Sequence, residues 1–248
     1  MLWRFALLKT ALLLSLSLSF VACGSGSDKS SGDNSPAVES SEYPMLLKPL
    51  TIYYSDRIQN AAMIEALPRA MDAWNKLIGR EVLINGGSAS ISSPTSLYST
   101  LGDTKSSLIF LEDWTNQTSD SGVSKHINTA STSIFNTEAN GNIGECDTLI
   151  NTNTYTYEDV PAGNPGPNDP SYVLPTRDDK VIIDAQSILM HELGHCLGLN
   201  HTDSKSNRIS DNVIDVRIMN QYTPFGYKRV EFTEGDKSAV DVLYNNKK

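Results

Sequence analysis

His191-Glu192-Leu193-Gly194-His195-Cys196-Leu197-Gly198-Leu199-Asn200-His201 gathers three of the chain's four histidines into eleven residues. On a helix, His191 and His195 lie one turn apart and project from the same face toward one point. Gly198 can take the left-handed conformation that ends a helix abruptly, so the chain can turn back and bring in His201. Histidines serving only a packed core would not cluster in this way. Three protein nitrogens leave the fourth position of a tetrahedral zinc ion open to water, the arrangement of a catalytic rather than a structural site. Glu192, beside the first ligand, is the expected general base for that water. An H-E-x-x-H match alone occurs by chance in unrelated helices; the third histidine and the glycine before it make the pattern specific. The fourth histidine, His126, lies in a Ser-rich polar stretch and reads as a surface residue.

The same segment predicts a helix from Ala185 to Leu197, with Asp184 as N-cap and Gly198 just beyond its end. Leu189, Leu193, Cys196 and Leu197 fall on the face away from the ligand pair and are expected to pack on a sheet. Cys196 is therefore read as a core residue, either in a disulfide with Cys146 or as a buried free thiol. Export of the chain, argued below, favours the disulfide.

Outward from this helix, local patterns give the other elements. Leu50 to Tyr54 is β-branched and aromatic and reads as a strand. Ile64, Leu67, Met71, Trp74, Leu77 and Ile78 recur at helical spacing within 61–78, and Gly79 ends the run. Pro68 must start a shorter helix or kink a longer one. Glu81 to Ile84 reads as a second strand closed by Asn85-Gly86-Gly87, and Ser107 to Leu111 as a third. Weaker strands are placed around Ala130 to Phe135 and Thr148 to Asn151. Five prolines and two glycines between 161 and 175 predict a surface loop. A closing helix runs from Glu234 to Tyr244, with Thr233 as N-cap and Asp236 in a capping-box position. Strands interleaved with helices make an α/β or α+β domain over 44–248.

The first 22 residues carry Arg4 and Lys9, then an apolar run from Ala11 to Ala22, which is the pattern of a secretory signal and too short for a membrane span. Phe20-Val21-Ala22-Cys23 resembles the cleavage box of bacterial lipoproteins, which implies acylation of Cys23 and anchoring at the outer membrane or cell surface. Phe20 stands where that box usually has Leu, so ordinary cleavage near Ala22, with secretion, is the competing reading. Residues 23–43 are rich in Ser and Gly and read as a flexible tether. The formal net charge of -9 and the lack of any Lys/Arg cluster speak against nucleic-acid binding. The domain is read as a monomer.

The zinc segment, followed by Ile218-Met219-Asn220, resembles the metzincin clan of zinc peptidases, and within it most closely the matrixins. The resemblance runs in order from Leu50 to Tyr244. It implies a twisted mixed sheet with an edge strand that pairs with extended peptide, a zinc-site helix, a Met-turn in which Met219 floors the ligands, and a C-terminal helix. Thr202 follows the third histidine where matrixins carry Ser and pappalysin-like members carry Thr, which keeps that subfamily as a second choice. Tyr222 and Pro224 fall where matrixins build a wall of the substrate pocket; Tyr222 could instead contact the zinc or the oxyanion. The polar stretch from His201 to Met219 implies an inserted loop near the cleft. Structural Ca²⁺ is common in the family, and Asp and Asn residues at 136–147 and 151–159 could supply oxygens, although turns use the same residues. The resulting expectation is a zinc endopeptidase acting on protein or peptide substrates. The competing readings are a surface lipoprotein using this fold only for binding, and a zinc hydrolase of another substrate. An intact Glu192 argues against the first of these and the third histidine against the second.

Overall fold

The structure is a computed structural model describing residues 19–24, 46, 48–91, 103–112, 114, 128–136, 143–166, 169–202, 208–210, 213–214, 217–221 and 223–245. His126, Tyr222, most of the expected tether and the leader up to residue 18 lie outside the described residues.

In chain order the elements are β1 (Ser19–Gly24), β2 (Leu50–Ser55), α1 (Ala61–Ile78), β3 (Leu83–Ala89), β4 (Ser106–Leu111), β5 (Asn128–Asn136), β6 (Ile143–Asn151) and β7 (Tyr155–Glu158). They continue with β8 (Thr176–Arg177), β9 (Lys180–Asp184), α2 (Ala185–Cys196), β10 (Arg208–Ser210), β11 (Val213–Ile214) and α3 (Glu234–Val240), which passes into a π-helical turn at Asp241–Asn245. The main sheet has six strands in the order β1-β5-β6-β4-β2-β3. β3, β2, β4 and β6 pair in parallel, whereas β5 runs antiparallel to β6 and β1 antiparallel to β5. A mixed sheet of this kind, with helices between its strands, is the expected architecture.

α1 starts at Ala61 because Asn60 caps it, its side-chain oxygen accepting from Met63 N at 3.0 Å. Pro68 lies inside a helix that continues to Ile78, so it neither starts a shorter helix nor ends this one. Gly79 closes α1 at φ 79°, a left-handed turn that its missing Cβ permits. The buried stripe is Met63, Ala66, Leu67, Ala70, Met71, Trp74 and Ile78, with Ile64 and Leu77 at its margin. The Asn75 side chain then accepts from Val82 N (2.8 Å) and Leu83 N (2.9 Å), fixing the entry to β3.

Asn85-Gly86-Gly87 does not close β3, as the sequence led one to expect, but continues it through an irregularity opposite Ile52 and Tyr53. Gly87 takes φ 77° there, and a Cβ on Gly86 would lie 2.6 Å from the Tyr53 ring. β4 is buried on both faces. Leu108 joins the main core with α1 and α2, while Ile109 and Leu111 join Leu149, Ile91 and Trp114 on the other side.

Residues 161–175 form neither helix nor strand where described, as expected. A second sheet, β7-β9-β8, was not anticipated. β9 leads directly into α2, so the zinc helix leaves the buried end of that strand, at Ile183 and Asp184. β10 and β11 pair antiparallel within the stretch read as an inserted loop. β1 comprises the residues assigned from sequence to the leader's end and Cys23, and it occupies the outer edge of β5, with Ser19 opposite Ile134 and Cys23 opposite Ala130. An unpaired strand edge offers a row of N–H and C=O groups, and this extended segment takes them.

Candidate metal centre

Asp184, fully buried, caps α2: its Oδ1 accepts from Ser187 N (2.8 Å) and Ser187 Oγ (2.6 Å). Its Oδ2 accepts from Val160 N at 3.0 Å, which ties the helix start to the chain leaving β7. At the other end Gly198, at φ 88°, reverses the chain, and Leu199 N donates back to Gly194 O at 3.0 Å. The Leu199 carbonyl is thereby turned onto the ring it follows, accepting from His195 Nδ1 at 2.8 Å. The Ile218 carbonyl does the same for His191 Nδ1 at 2.7 Å.

These two bonds set the chemistry of the site. A carbonyl only accepts, so both Nδ1 atoms carry the proton, and in a neutral ring each Nε2 then presents an unprotonated lone pair. Burial first, and then the facing His195 and His201, holds His191 well below the ordinary histidine range. Burial, with His201 beside it, brings His195 down to about 3. His201 falls to about 4 through burial and then the Arg229 guanidinium. All three rings are therefore neutral at neutral pH.

His191 Nε2 lies 3.2 Å from His195 Nε2 and 3.2 Å from His201 Nε2. Among the described residues this is the one group of three or more His, Cys, Asp or Glu side chains close enough to share a metal ion. Ligands about 2.05 Å from a tetrahedral zinc stand about 3.3 Å apart. Lone pairs facing one another at that spacing repel unless a cation lies between them, so the donor set fits zinc. The carbonyls on the far nitrogens fix ring orientation and tautomer, as the outer partners of metal-binding histidines do.

Met219 is buried, 2 % exposed. Its turn is closed by Asn220 N donating to Arg217 O (3.2 Å), and Met219 O accepts from Thr202 N (2.9 Å), next to His201. Gly194 abuts the Met219 thioether, with no space for a Cβ. Asp236 has a role that sequence did not reveal. Besides completing the capping box with Thr233, its Oδ1 accepts from Ile218 N at 3.0 Å, so the closing helix holds the turn whose carbonyl orients His191. Pro224, shortly after that turn in the chain, is buried.

Cys146 and Cys196 are joined in a disulfide, the pairing favoured from sequence, with Cα atoms 5.5 Å apart. The bridge ties the last turn of α2 to β6. Glu192 is fully buried, and its Oε2 accepts from Thr132 Oγ1 at 2.6 Å. Nothing in the sequence singled out Thr132, which stands in a run of Ser and Thr residues.

Neutral imidazoles converging on one point beside a buried carboxylate define a zinc hydrolase centre. The matrixin family model matches residues 110–245, more than half of the chain, and the chain belongs to that family of zinc metallopeptidases. The match takes in β5, β6, α2, the Met219 turn and the closing helix. None of the curated proteins matches the chain.

Proposed function

We propose that this protein is an endopeptidase that cuts extended protein segments, with His191, His195 and His201 holding one zinc ion and Glu192 acting as general base. The observation that carries the reading is the convergence of three histidines, His191 Nε2 lying 3.2 Å from His195 Nε2 on the helix that bears Glu192 and 3.2 Å from His201 Nε2 just beyond it. When bound, zinc supplies a Lewis acid that polarises the scissile carbonyl and brings the pKa of the attacking water to about 7. Glu192 receives the proton from that water and returns it to the departing amine nitrogen. Burial keeps the histidines neutral, and the carbonyls on Nδ1 of His191 and His195 fix the tautomer that presents Nε2.

Extended substrate is expected to pair along the outer edge of β5, where the main chain can add a strand. In the unprocessed chain β1 takes that edge. Cleavage before Cys23 would remove Ser19 to Ala22 and open it. Acylation of the new N-terminal Cys23 would leave the enzyme tethered outside the cell by the Ser- and Gly-rich stretch that follows it. Incorporation of a labelled fatty acid, lost in Cys23→Ser, tests the anchor; an unlabelled secreted protein would refute it.

The test of the activity is digestion of an unstructured protein such as casein. A chelator should stop cleavage and added zinc restore it. Glu192→Ala should keep zinc and fold yet lose several orders of magnitude in turnover. A folded, zinc-loaded protein that cleaves nothing would favour the binding-module reading instead.

A further inference from the structure

Glu192 is held by a residue from the neighbouring sheet. Thr132, on β5 and 1 % exposed, donates to Glu192 Oε2 at 2.6 Å, within the range of a charge-assisted O–H···O⁻ bond. Thr132 stands opposite Thr148 on β6, and the two hydroxyl oxygens are 3.1 Å apart. A threonine has one hydroxyl proton. Since that of Thr132 goes to the carboxylate, Thr148 is the donor in the second contact. Thr148 Oγ1 also lies 4.0 Å from Cys196 Sγ. That sulfur is bridged to Cys146 and carries no proton, so it cannot donate to Thr148 and reverse the order. Protons therefore run in one direction, from Thr148 to Thr132 to Glu192.

The placement follows from two periodicities. Glu192 and Cys196 are four apart on α2 and share a face, and Cys146 and Thr148 are two apart on β6 and share a face. The disulfide thus sets the separation of helix and sheet across which Thr132 reaches. A Thr hydroxyl buried against a carboxylate could serve packing alone, and Val would fill the same volume. Only the hydroxyl fixes which carboxylate oxygen is engaged.

We propose that Thr132 is the positioning residue of the general base. Its hydroxyl holds Glu192 by Oε2 and so orients the carboxylate that takes the proton of the attacking water, while Thr148 keeps the Thr132 hydroxyl in that orientation. The proposal rests on the general-base role of Glu192 given above.

The test uses the purified zinc-loaded protein with Thr132→Val, Thr132→Ser and Glu192→Gln. Thr132→Val should keep one zinc per chain and its KM, and lose kcat by on the order of 10- to 100-fold, the worth of one hydrogen bond to a charged group. Thr132→Ser should recover most of the lost kcat. A second readout does not involve activity. The Thr132 hydroxyl proton, shielded from solvent, should give a slowly exchanging downfield NMR resonance in the unaltered protein, shifted upfield in Glu192→Gln. An unchanged kcat in Thr132→Val beside an inactive Glu192→Gln would overturn the proposal. So would the absence of that resonance, which is read in the unaltered protein and decides the matter even where the Thr132→Val substitution prevents folding. Turnover retained in Glu192→Gln would instead overturn the general-base reading, a distinct result.

Discussion

Replacing Gly194 by Ala puts a methyl group where the structure has no room for one. A Cβ there would stand 2.3 Å from Met219 Sδ, 3.2 Å from Met219 Cε and 3.1 Å from Trp74 Cζ2. Trp74 cannot yield easily, because it is fully buried and its Nε1 donates to Met190 O at 2.9 Å. Met219 must move instead, by roughly 1.2 to 1.7 Å to reach an ordinary contact of about 3.5–4.0 Å. In an open helix Gly→Ala stabilises by about 1 kcal/mol. Overpacking a filled core costs about 1–3 kcal/mol, and at 2.3 Å the clash prevails. Gly194→Ala should therefore destabilise the protein, by about 1–2 kcal/mol in denaturant unfolding. The displacement also reaches the zinc ligands, since the Ile218 carbonyl that orients His191 precedes Met219. Zinc affinity, measured by chelator competition, should fall by about 10- to 100-fold, as when an outer partner is lost. The decisive measurement is a double-mutant cycle. In a Met219→Ala background the clash with the thioether is gone and only the 3.1 Å approach to Trp74 remains, so Gly194→Ala should lose most of its penalty and become close to neutral. An equal penalty in both backgrounds would show that Met219 is not what excludes a side chain at 194, and the reasoning would fail.

Three further outcomes are expected. Tyr244 donates to Leu197 O at 2.6 Å, and burial lifts its hydroxyl to about 12; Tyr244→Phe strands that carbonyl and should cost about 1–3 kcal/mol in unfolding free energy. Burial, then the charges of Glu145 and Asp103, raises Asp147 from 3.8 to about 8. Between these values the folded chain keeps a proton that the unfolded chain has released, so this group's stabilisation, complete below 3.8, drains away as pH rises toward 8, by up to about 1.4 kcal/mol per pH unit. Asp147→Asn should thus raise the melting temperature relative to the parent at pH 8 and much less at pH 4.5; an equal gain at both would refute the assignment. The bridge from Cys146 to Cys196 closes a 50-residue separation, so replacing both by Ser should cost about 4 kcal/mol on chain-entropy grounds, read as a lower denaturation midpoint without loss of zinc stoichiometry.

The parts of the fold that could be read from sequence are those whose causes lie within a few residues. α1 ends at Gly79, α2 starts at the Asp184 cap, and Thr233 and Asp236 form the capping box. Each rests on contacts three or four residues apart. The strand 180–184 was missed although Val181-Ile182-Ile183 is β-branched, because a five-residue run gives too short a period to set apart from a loop. Asn85-Gly86-Gly87 reads as the close of its strand because such residues end strands as well as form bulges, and only the pairing with β2 and the Tyr53 ring lying over Gly86 tell the two apart.

The sequence by itself determined the ligands, the residue that follows the first of them and the helix that presents them, since one turn of helix and one glycine fix their spacing. The tertiary structure decided which atoms those residues use. The Ile218 carbonyl reaches His191 from 27 residues away, Thr132 reaches Glu192 across 60, and Asp236 ties the Met219 turn to the last helix. Such contacts depend on which strands lie side by side and in what register. That follows from burying the whole core at once, and no local pattern records it.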